Sequence, residues 1–181
     1  MASWQDVETA VPDLAATVRT VFDAYKHKVL ATLRADGSPR VSGNEVTFKD
    51  GEAWLGMMHR SLKALDLLRD PRLAVHSATA DAELKLGDAK LSGRAVEETD
   101  AETIRRFGAD AAEEHGGAEE QDGAESPEGG DPPEGAESPE PFHLFRIDIA
   151  ELSIVRIGDP PDHLVIESWS PAAGYRRTER R

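Results

Sequence analysis

Apolar and polar positions alternate along much of the chain between residues 28 and 97 and again from 142 to 169. A period of two predicts half-buried β-strands. The predicted strands span 28–34, 40–48, 52–58, 73–78, 89–97, 142–149, 151–157 and 163–169. Asp36-Gly37 and Asp50-Gly51 mark tight turns between the first three strands, which are therefore antiparallel. Gly93, inside a predicted strand, indicates a β-bulge or a close backbone approach.

A helical period of three to four residues appears in two segments outside the predicted strands. The first predicts a helix over 9–26, with Pro12 in its first turn, where proline is tolerated. The second predicts a short helix over 99–107, which begins with a capping box formed by Thr99 and Glu102.

A further short helix is predicted over 61–69, between the third and fourth strands. Ser61 is placed to cap it, and Pro71 follows its end. Three leucines on this segment are expected to face the core: Leu62, Leu65 and Leu68.

The elements together predict a mainly β fold with flanking helices, and a split or closed antiparallel barrel would hide its strand edges. We predict one domain formed by residues 1–108 and 141–170. Residues 109–140 contain twelve acidic side chains, no Lys or Arg and a repeated Gly-Ala-Glu-Ser-Pro-Glu, which predicts a disordered insert. The basic residues 171–181 are expected to form a flexible tail.

Composition narrows the functional classes. The chain has no cysteine, which excludes disulfides and thiolate metal sites and suits a reducing cytoplasm. The net charge of −14 comes largely from the predicted insert, so the remainder is near neutral. Outside the tail no basic face favours nucleic acid. Neither a signal peptide nor an apolar run of the roughly 20 residues needed to span a bilayer is expected. The histidines show no metal-ligand spacing.

The start of the helix at Ser61 carries the candidate chemistry. Its free N–H groups and dipole, the Ser61 hydroxyl and the Lys63 charge suit a phosphate. Strand alternation places Arg40 and Ser42 on one face, where they could point toward the same anion. The alternatives are an ordinary helix cap, a solvated lysine and a surface arginine. His59 is a candidate for polarising a bound ring, or simply a loop histidine.

The segment VLATLRADGSPRVSGNEVTFKDGEAWLGMMHRSLKALDLLRDPRLAVHS, residues 29–77, resembles the pyridoxamine 5′-phosphate oxidase-like split β-barrel family. The same superfamily includes flavin- and deazaflavin-dependent oxidoreductases. The resemblance implies a homodimer that holds FMN between its subunits, with a deazaflavin coenzyme as the alternative. It implies no assigned catalytic residue and no metal. The cofactor contacts that it implies are at Arg40, Val41, Ser42, Met57, Met58, His59, Arg60, Ser61, Lys63 and Trp169.

Several positions depart from the family pattern. Leu62 stands where the family places a phosphate-binding arginine, and Arg60 is a substitute two residues before it. Glu45 replaces a basic residue, while Tyr175 and Arg177 occupy the places of two substrate-binding residues. The chain is therefore not expected to make pyridoxal phosphate.

The sequence thus predicts a cytoplasmic FMN- or deazaflavin-dependent oxidoreductase that acts on a small molecule and binds neither nucleic acid nor membrane. A hypothesis from a different class is a split-barrel protein that binds a small ligand, or a flavin, without turnover.

Overall fold

The structure, a computed structural model, describes residues 1–79, 83–116 and 142–181. Residues 1–97 and 142–181 form one compact unit, and residues 98–141 belong to a second. No described helix is both long and apolar enough to cross a bilayer. The elements are α1 (Trp4–Ala10), α2 (Pro12–Asp23), β1 (Lys28–Leu33), β2 (Pro39–Asn44), β3 (Thr47–Lys49), β4 (Glu52–Met58), α3 (Leu62–Arg69), β5 (Arg72–His76), β6 (Asp88–Glu97), α4 (Ala101–Gly116), β7 (Phe142–Ile157), β8 (Leu164–Ser170) and β9 (Gly174–Arg180).

The strands form one sheet in the order β2-β1-β5-β6-β7-β4-β3, with β8 paired to β7 and β9 to β8. Every pairing between these strands is antiparallel. β2 also contacts β4, so the sheet curls back on itself, but the two strands are not paired as neighbours. The predicted mainly antiparallel sheet with flanking helices is confirmed.

Two predicted strand boundaries differ from the structure. The predicted strand over 40–48 is divided into β2 and β3, because the pairing of β2 with β1 ends at Asn44 and β3 pairs with β4 instead. The predicted strands over 142–149 and 151–157 are one continuous strand, β7. The long β7 can therefore pair with three other strands, β4, β6 and β8.

Gly93 marks the bulge that its position predicted. The register between β6 and β7 shifts between Ser92 and Gly93. A Cβ atom at Gly93 would lie 2.2 Å from the backbone oxygen of Asp148, so the strands approach too closely for any side chain there.

The helix predicted over 9–26 is two helices, α1 and α2, separated at Val11. Val11 has φ −144° and ψ 65°, and Pro12 follows it at the start of α2. The residue before a proline is pushed out of the helical region, which explains the break. α1 itself begins with a capping box between Ser3 and Asp6 that was not predicted.

The hydrophobic core lies between these two helices and the inner face of the sheet. Trp4 of α1 and Phe22 of α2 both pack on Phe48 of β3, with ring centroids 4.3 Å and 5.8 Å apart. The strands contribute side chains that are almost completely buried, among them Leu30, Leu55, Phe145, Ile147, Ile149, Leu152 and Ile154.

The predicted inward face of α3 is wrong. Leu62, Leu65 and Leu68 are 62%, 40% and 45% exposed, whereas Ala64, Asp66 and Leu67 are buried. A buried ion pair of Asp66 and a hydrogen bond from Lys63 to β2 fix the rotation of the helix, and the leucines then point outward.

The tail predicted to be flexible is the strand β9. It pairs with β8 from Gly174 opposite Ser170 to Arg180 opposite Leu164. Gly174 has φ 67°, a conformation that favours glycine at the turn. Tyr175 donates a hydrogen bond to Glu167 across the pair at 2.6 Å. The high charge of this segment reflects an exposed strand rather than a lack of structure.

α4 is longer than the helix predicted over 99–107. Its first turn is capped by Asp100, whose carboxylate accepts from the N–H of Thr103 at 2.8 Å, instead of by Thr99. The helix continues to Gly116 and thus into the insert predicted as disordered over 109–140, where an Ala-Asp-Ala-Ala-Glu-Glu run favours helix. The rest of that predicted insert lies outside the described residues.

Candidate functional site

α3 and β2 are joined by a buried carboxylate that the sequence did not single out. Asp66 Oδ2 accepts from Arg40 Nε at 2.6 Å and from Thr32 Oγ1 at 2.9 Å, and Oδ1 accepts from Arg69 Nη2 at 3.1 Å. The Asp66 side chain is 4% exposed and that of Arg40 20%. Asp66 therefore anchors Arg40, on the strand, to the helix.

The ionisation of Asp66 follows from two opposing effects. Burial raises the pKa of its carboxyl, but the hydrogen bonds from Arg40, Arg69 and Thr32 outweigh burial and hold the pKa below its ordinary value. Asp66 is thus a carboxylate at neutral pH, and Arg40 is fixed beside it as its counter-charge.

Lys63, on α3, makes a second contact between the helix and β2. Its Nζ donates to the backbone oxygen of Gly43 in β2 at 2.7 Å. Burial lowers the pKa of Lys63, because a partly desolvated amine is harder to protonate. The structure therefore brings Arg40 and Lys63, which the sequence placed at one phosphate site, to the same junction of β2 and α3.

The start of α3 leaves hydrogen-bond donors without partners. Ser61 is the N-cap residue but makes no side-chain capping bond. Its Oγ and the Oγ of Ser42 are buried, and neither has a partner in the part of the chain that the structure describes. An unsatisfied buried hydroxyl costs about 1–3 kcal/mol. We refer to Arg40, Ser42, Ser61 and Lys63 as the phosphate seam.

The phosphate seam fits an oxyanion. The Ser61 hydroxyl and the Lys63 ammonium lie at the N-terminal end of a helix, where first-turn N–H groups have no side-chain cap, and Ser42 precedes Gly43, the β2 residue that Lys63 contacts. Phosphate oxygens would accept from these donors and interact favourably with the helix dipole. The orphaned hydroxyls are the observation that an ordinary helix cap would not explain.

The turn before α3 is conformationally unusual. Arg60 has φ 55°, a left-handed conformation that costs a residue other than glycine about 1–3 kcal/mol. The N–H of Ser61 donates to the Met58 oxygen at 3.1 Å and closes the turn. Met57 is buried and Met58 is 78% exposed, so of the two only Met58 offers its side chain to a ligand.

His59 in this turn belongs to a stack of rings that sequence reasoning missed. Its ring lies 5.2 Å from that of His143, with a 14° angle between the planes, and Phe145 lies 6.0 Å beyond His143. His143 Nδ1 is 2.9 Å from Oε1 of Glu97. The only sequence signal was a histidine at the start of a strand, since Glu97 and His143 are 46 residues apart.

Two predicted contact residues lie away from the phosphate seam. Val41 alternates with Arg40 and Ser42, points to the opposite face of β2 and is 67% exposed. Trp169, on β8, is 7% exposed and belongs to the hydrophobic core. β8 pairs with β7 and β9 and with neither β2 nor β4. Any contact of these two residues with a cofactor stays a prediction.

A wider depression lies on the outer face of the sheet, across β1, β5, β6 and β7. Its volume is about 250 Å³, and none of the predicted site residues lines it. We call it the outer groove; its walls include Val29, Ala31, Ala74, His76, Lys90, Glu151 and Ser153. Across the described ranges, no cluster of three His, Asp or Glu side chains is arranged to hold a metal ion.

Comparisons with solved structures show the fold. A pyridoxamine 5′-phosphate oxidase-related, FMN-binding protein from Nostoc punctiforme is 15% identical, with a TM-score of 0.57, and covers 100% of this chain and 98% of its own. PhzG from Burkholderia lata, in complex with tetrahydrophenazine-1-carboxylic acid, is 14% identical, with a TM-score of 0.60 over 100% of this chain and 97% of its own. A conserved hypothetical protein from Mycobacterium tuberculosis is 28% identical, with a TM-score of 0.50, over 56% of this chain and 64% of its own.

None of the curated proteins matches the chain. The family model described as pyridoxamine 5′-phosphate oxidase matches residues 14–156, most of the chain. The match contains β1 to β6 and therefore the whole phosphate seam. The split-barrel fold is thereby confirmed, and the chain belongs to the pyridoxamine 5′-phosphate oxidase family.

Proposed function

We propose that the chain binds FMN and acts as a flavin-dependent oxidoreductase on a small molecule. The observation that carries the proposal is the pair of buried, unpartnered hydroxyls, Ser42 Oγ and Ser61 Oγ, beside Lys63 and Arg40. In this family, and with an FMN-binding protein among the similar structures, the phosphate of FMN is an anion that satisfies them.

Different residues of this chain would bind the phosphate and the ring of the flavin. Lys63 and the two hydroxyls would hold the phosphate, and Asp66 would keep Arg40 oriented beside it. The turn from Met58 to Ser61 would hold the ring end. Bound flavin supplies the hydride or electron transfer, so the protein needs to anchor it, orient it and shield it from water.

Pyridoxamine 5′-phosphate is not the substrate that we propose. Glu45 stands where that reaction would use a basic residue, and its carboxylate lies 3.6 Å from Lys26 Nζ. Arg177, at a second substrate position, is exposed on β9 and lies 2.9 Å from Glu179. A carboxylate at position 45 would repel a phosphorylated substrate.

The same site leaves two finer choices, which are also proposals. A deazaflavin coenzyme is the alternative cofactor, because Arg60, in the turn before α3, is exposed and suits a longer anionic tail. We propose a homodimer in the cytoplasm, in which the exposed Leu62, Leu65 and Leu68 of α3 offer apolar surface to a second copy.

A binding protein without turnover is the second candidate function. Leu62 favours it, because this exposed side chain replaces an arginine and leaves the phosphate seam with fewer charged donors. If bound FMN is reduced by no donor faster than free FMN, this second function is the correct one.

Fluorescence titration with FMN and with riboflavin, which lacks the phosphate, tests the proposal. We expect FMN to bind more tightly. Lys63→Ala should weaken FMN roughly tenfold to a hundredfold, since a charged hydrogen bond contributes about 1.5–3 kcal/mol, and should leave riboflavin unchanged. Lys90→Ala, in the outer groove, is the matched control and should alter neither affinity.

Two results would contradict this proposal. Equal affinities of the unaltered protein for FMN and riboflavin would remove the phosphate site. Weakening of FMN by Lys90→Ala but not by Lys63→Ala would move the ligand to the outer groove.

A further inference from the structure

Buried side-chain atoms without a partner are concentrated near the candidate site. Of five such atoms in the part of the chain that the structure covers, two are the seam hydroxyls of Ser42 and Ser61, and a third is His143 Nε2. His143 is the second residue of β7 and lies opposite Met57 of β4. Its side chain is 13% exposed.

The contact with Glu97 determines which nitrogen of His143 carries the proton. A carboxylate only accepts hydrogen bonds, so Nδ1 at 2.9 Å from Glu97 Oε1 is the donor. In the neutral ring Nε2 is then a lone-pair acceptor. This acceptor has no donor in the described chain, although buried polar groups are nearly always paired.

The position of His143 relates this acceptor to the phosphate seam. Its ring stacks on those of His59 and Phe145, and His59 lies in the turn that leads directly to Ser61. The turn thus separates the unpartnered acceptor at His143 from the unpartnered donors at the start of α3. A ligand with a phosphate at one end and a polar ring at the other would supply both kinds of partner.

We infer that His143 is a ring-binding residue of this site, and that its Nε2 accepts a hydrogen bond from an imide-type N–H of a heteroaromatic ring. Glu97 holds the required tautomer, and His59 and Phe145 hold the plane of the imidazole. The flavin ring system carries such an N–H between two carbonyls. The inference rests on the proposed function and adds the group that recognises the ring.

Affinity for riboflavin isolates the ring contact from the phosphate contact. His143→Phe keeps the stack with His59 and Phe145 but removes both nitrogens. We expect it to raise the dissociation constants of riboflavin and FMN by the same factor, about threefold to tenfold, as for one lost hydrogen bond. Lys63→Ala should weaken FMN alone.

His163→Phe is the matched control. His163 Nδ1 lies 2.8 Å from Asp162 Oδ1, and its side chain is 12% exposed, so it has the same kind of carboxylate partner and the same burial. It precedes β8, which pairs with the opposite end of β7. Both affinities should be unchanged in this variant. An effect equal to that of His143→Phe would overturn the inference.

A second measurement is independent of whether His143→Phe folds well. In ¹⁵N-histidine spectra of the unaltered protein, we expect His143 as the Nδ1–H tautomer, with its Nε2 resonance shifted on addition of riboflavin. Glu97→Gln, which keeps the side-chain volume, should weaken riboflavin binding and reduce the fraction of this tautomer. An Nε2 resonance unmoved by bound riboflavin would overturn the inference.

The two proposals fail in different ways. If the unaltered protein binds neither FMN nor riboflavin, the proposed function fails and the role of His143 fails with it. If FMN binds and Lys63→Ala weakens it, but His143→Phe leaves the riboflavin affinity unchanged, only the role of His143 is wrong.

Discussion

The phosphate seam and the outer groove differ in whether they contain buried polar groups that a ligand would satisfy. The outer groove is about 250 Å³ in volume, but its charged side chains, Lys90 and Glu151, are exposed and already hydrated. The phosphate seam contains hydroxyl oxygens, at Ser42 and Ser61, that are buried and have no hydrogen-bond partner among the described residues. An anion there would form bonds that the free protein lacks.

Volume alone would select the outer groove rather than the phosphate seam. The outer groove lies on the face of the sheet opposite to the core, where Ala31 and Ala74 leave space simply because their side chains are small. The phosphate seam combines polar groups from two elements, β2 and α3, and Asp66 fixes the position of Arg40 among them. Unsatisfied buried donors point to a ligand, because buried polar groups are nearly always paired.

The largest effect should come from removing the carboxylate that builds the seam. Asp66→Ala leaves Arg40 and Thr32 without an acceptor below α3, and breaking such a buried pair should lower the free energy of unfolding by about 2–4 kcal/mol. The lower part of this range reflects the partial exposure of Arg40. Glu151→Ala in the outer groove should change the free energy of unfolding by less than about 0.5 kcal/mol. Urea unfolding measures both.

Equal unfolding midpoints for these two variants would show that the Asp66 network adds no stability. Arg40 would then have no structural reason to occupy its place in the phosphate seam, and the contrast with the outer groove would weaken.

The sequence was sufficient for the meander and for the placement of Arg40 and Lys63, because tight turns and a helix start are local signals. It was not sufficient for the rotation of α3. Leu62, Leu65 and Leu68 recur at three-residue steps, but the inward face is that of Ala64, Asp66 and Leu67, and the partner of Asp66 lies 26 residues earlier on β2. Hydrophobic periodicity places a charged residue on the outward face, so an inward-facing Asp66 cannot be predicted unless its partner is known.

Contacts between residues on either side of the predicted insert were even harder to predict from the sequence. Glu97 ends β6 and His143 lies near the start of β7, and their contact depends on a register that shifts at Gly93. β9 was missed for a related reason, since its pairing depends on β8 and not on its own apolar pattern.

The next effect has opposite signs for stability and for binding. Ser61→Ala and Ser42→Ala remove the unsatisfied hydroxyls, so each should raise the free energy of unfolding of the free protein by up to about 1 kcal/mol. Ser61 makes no capping bond, so the usual loss on removing a cap does not apply. Each variant should weaken FMN about threefold to tenfold, as titration would show.

Ser153→Ala in the outer groove is the control for this pair of effects and should alter neither quantity. If the seam variants lost stability instead, their hydroxyls would have partners in the free protein. The main difference between the two regions would then be gone.

The smallest effect is the response of Lys63 to pH, because Lys63 is only half-buried and water screens its charge. Burial lowers its pKa below the ordinary value of about 10.4. Between the lowered and the ordinary pKa the unfolded chain binds more protons, so stability should rise with pH in that window. FMN favours the charged amine, so its affinity should fall over the same rise. Lys63→Met should abolish both trends, and the control Lys90→Met should abolish neither of them. If FMN affinity still falls at alkaline pH in Lys63→Met, another group is responsible for the titration.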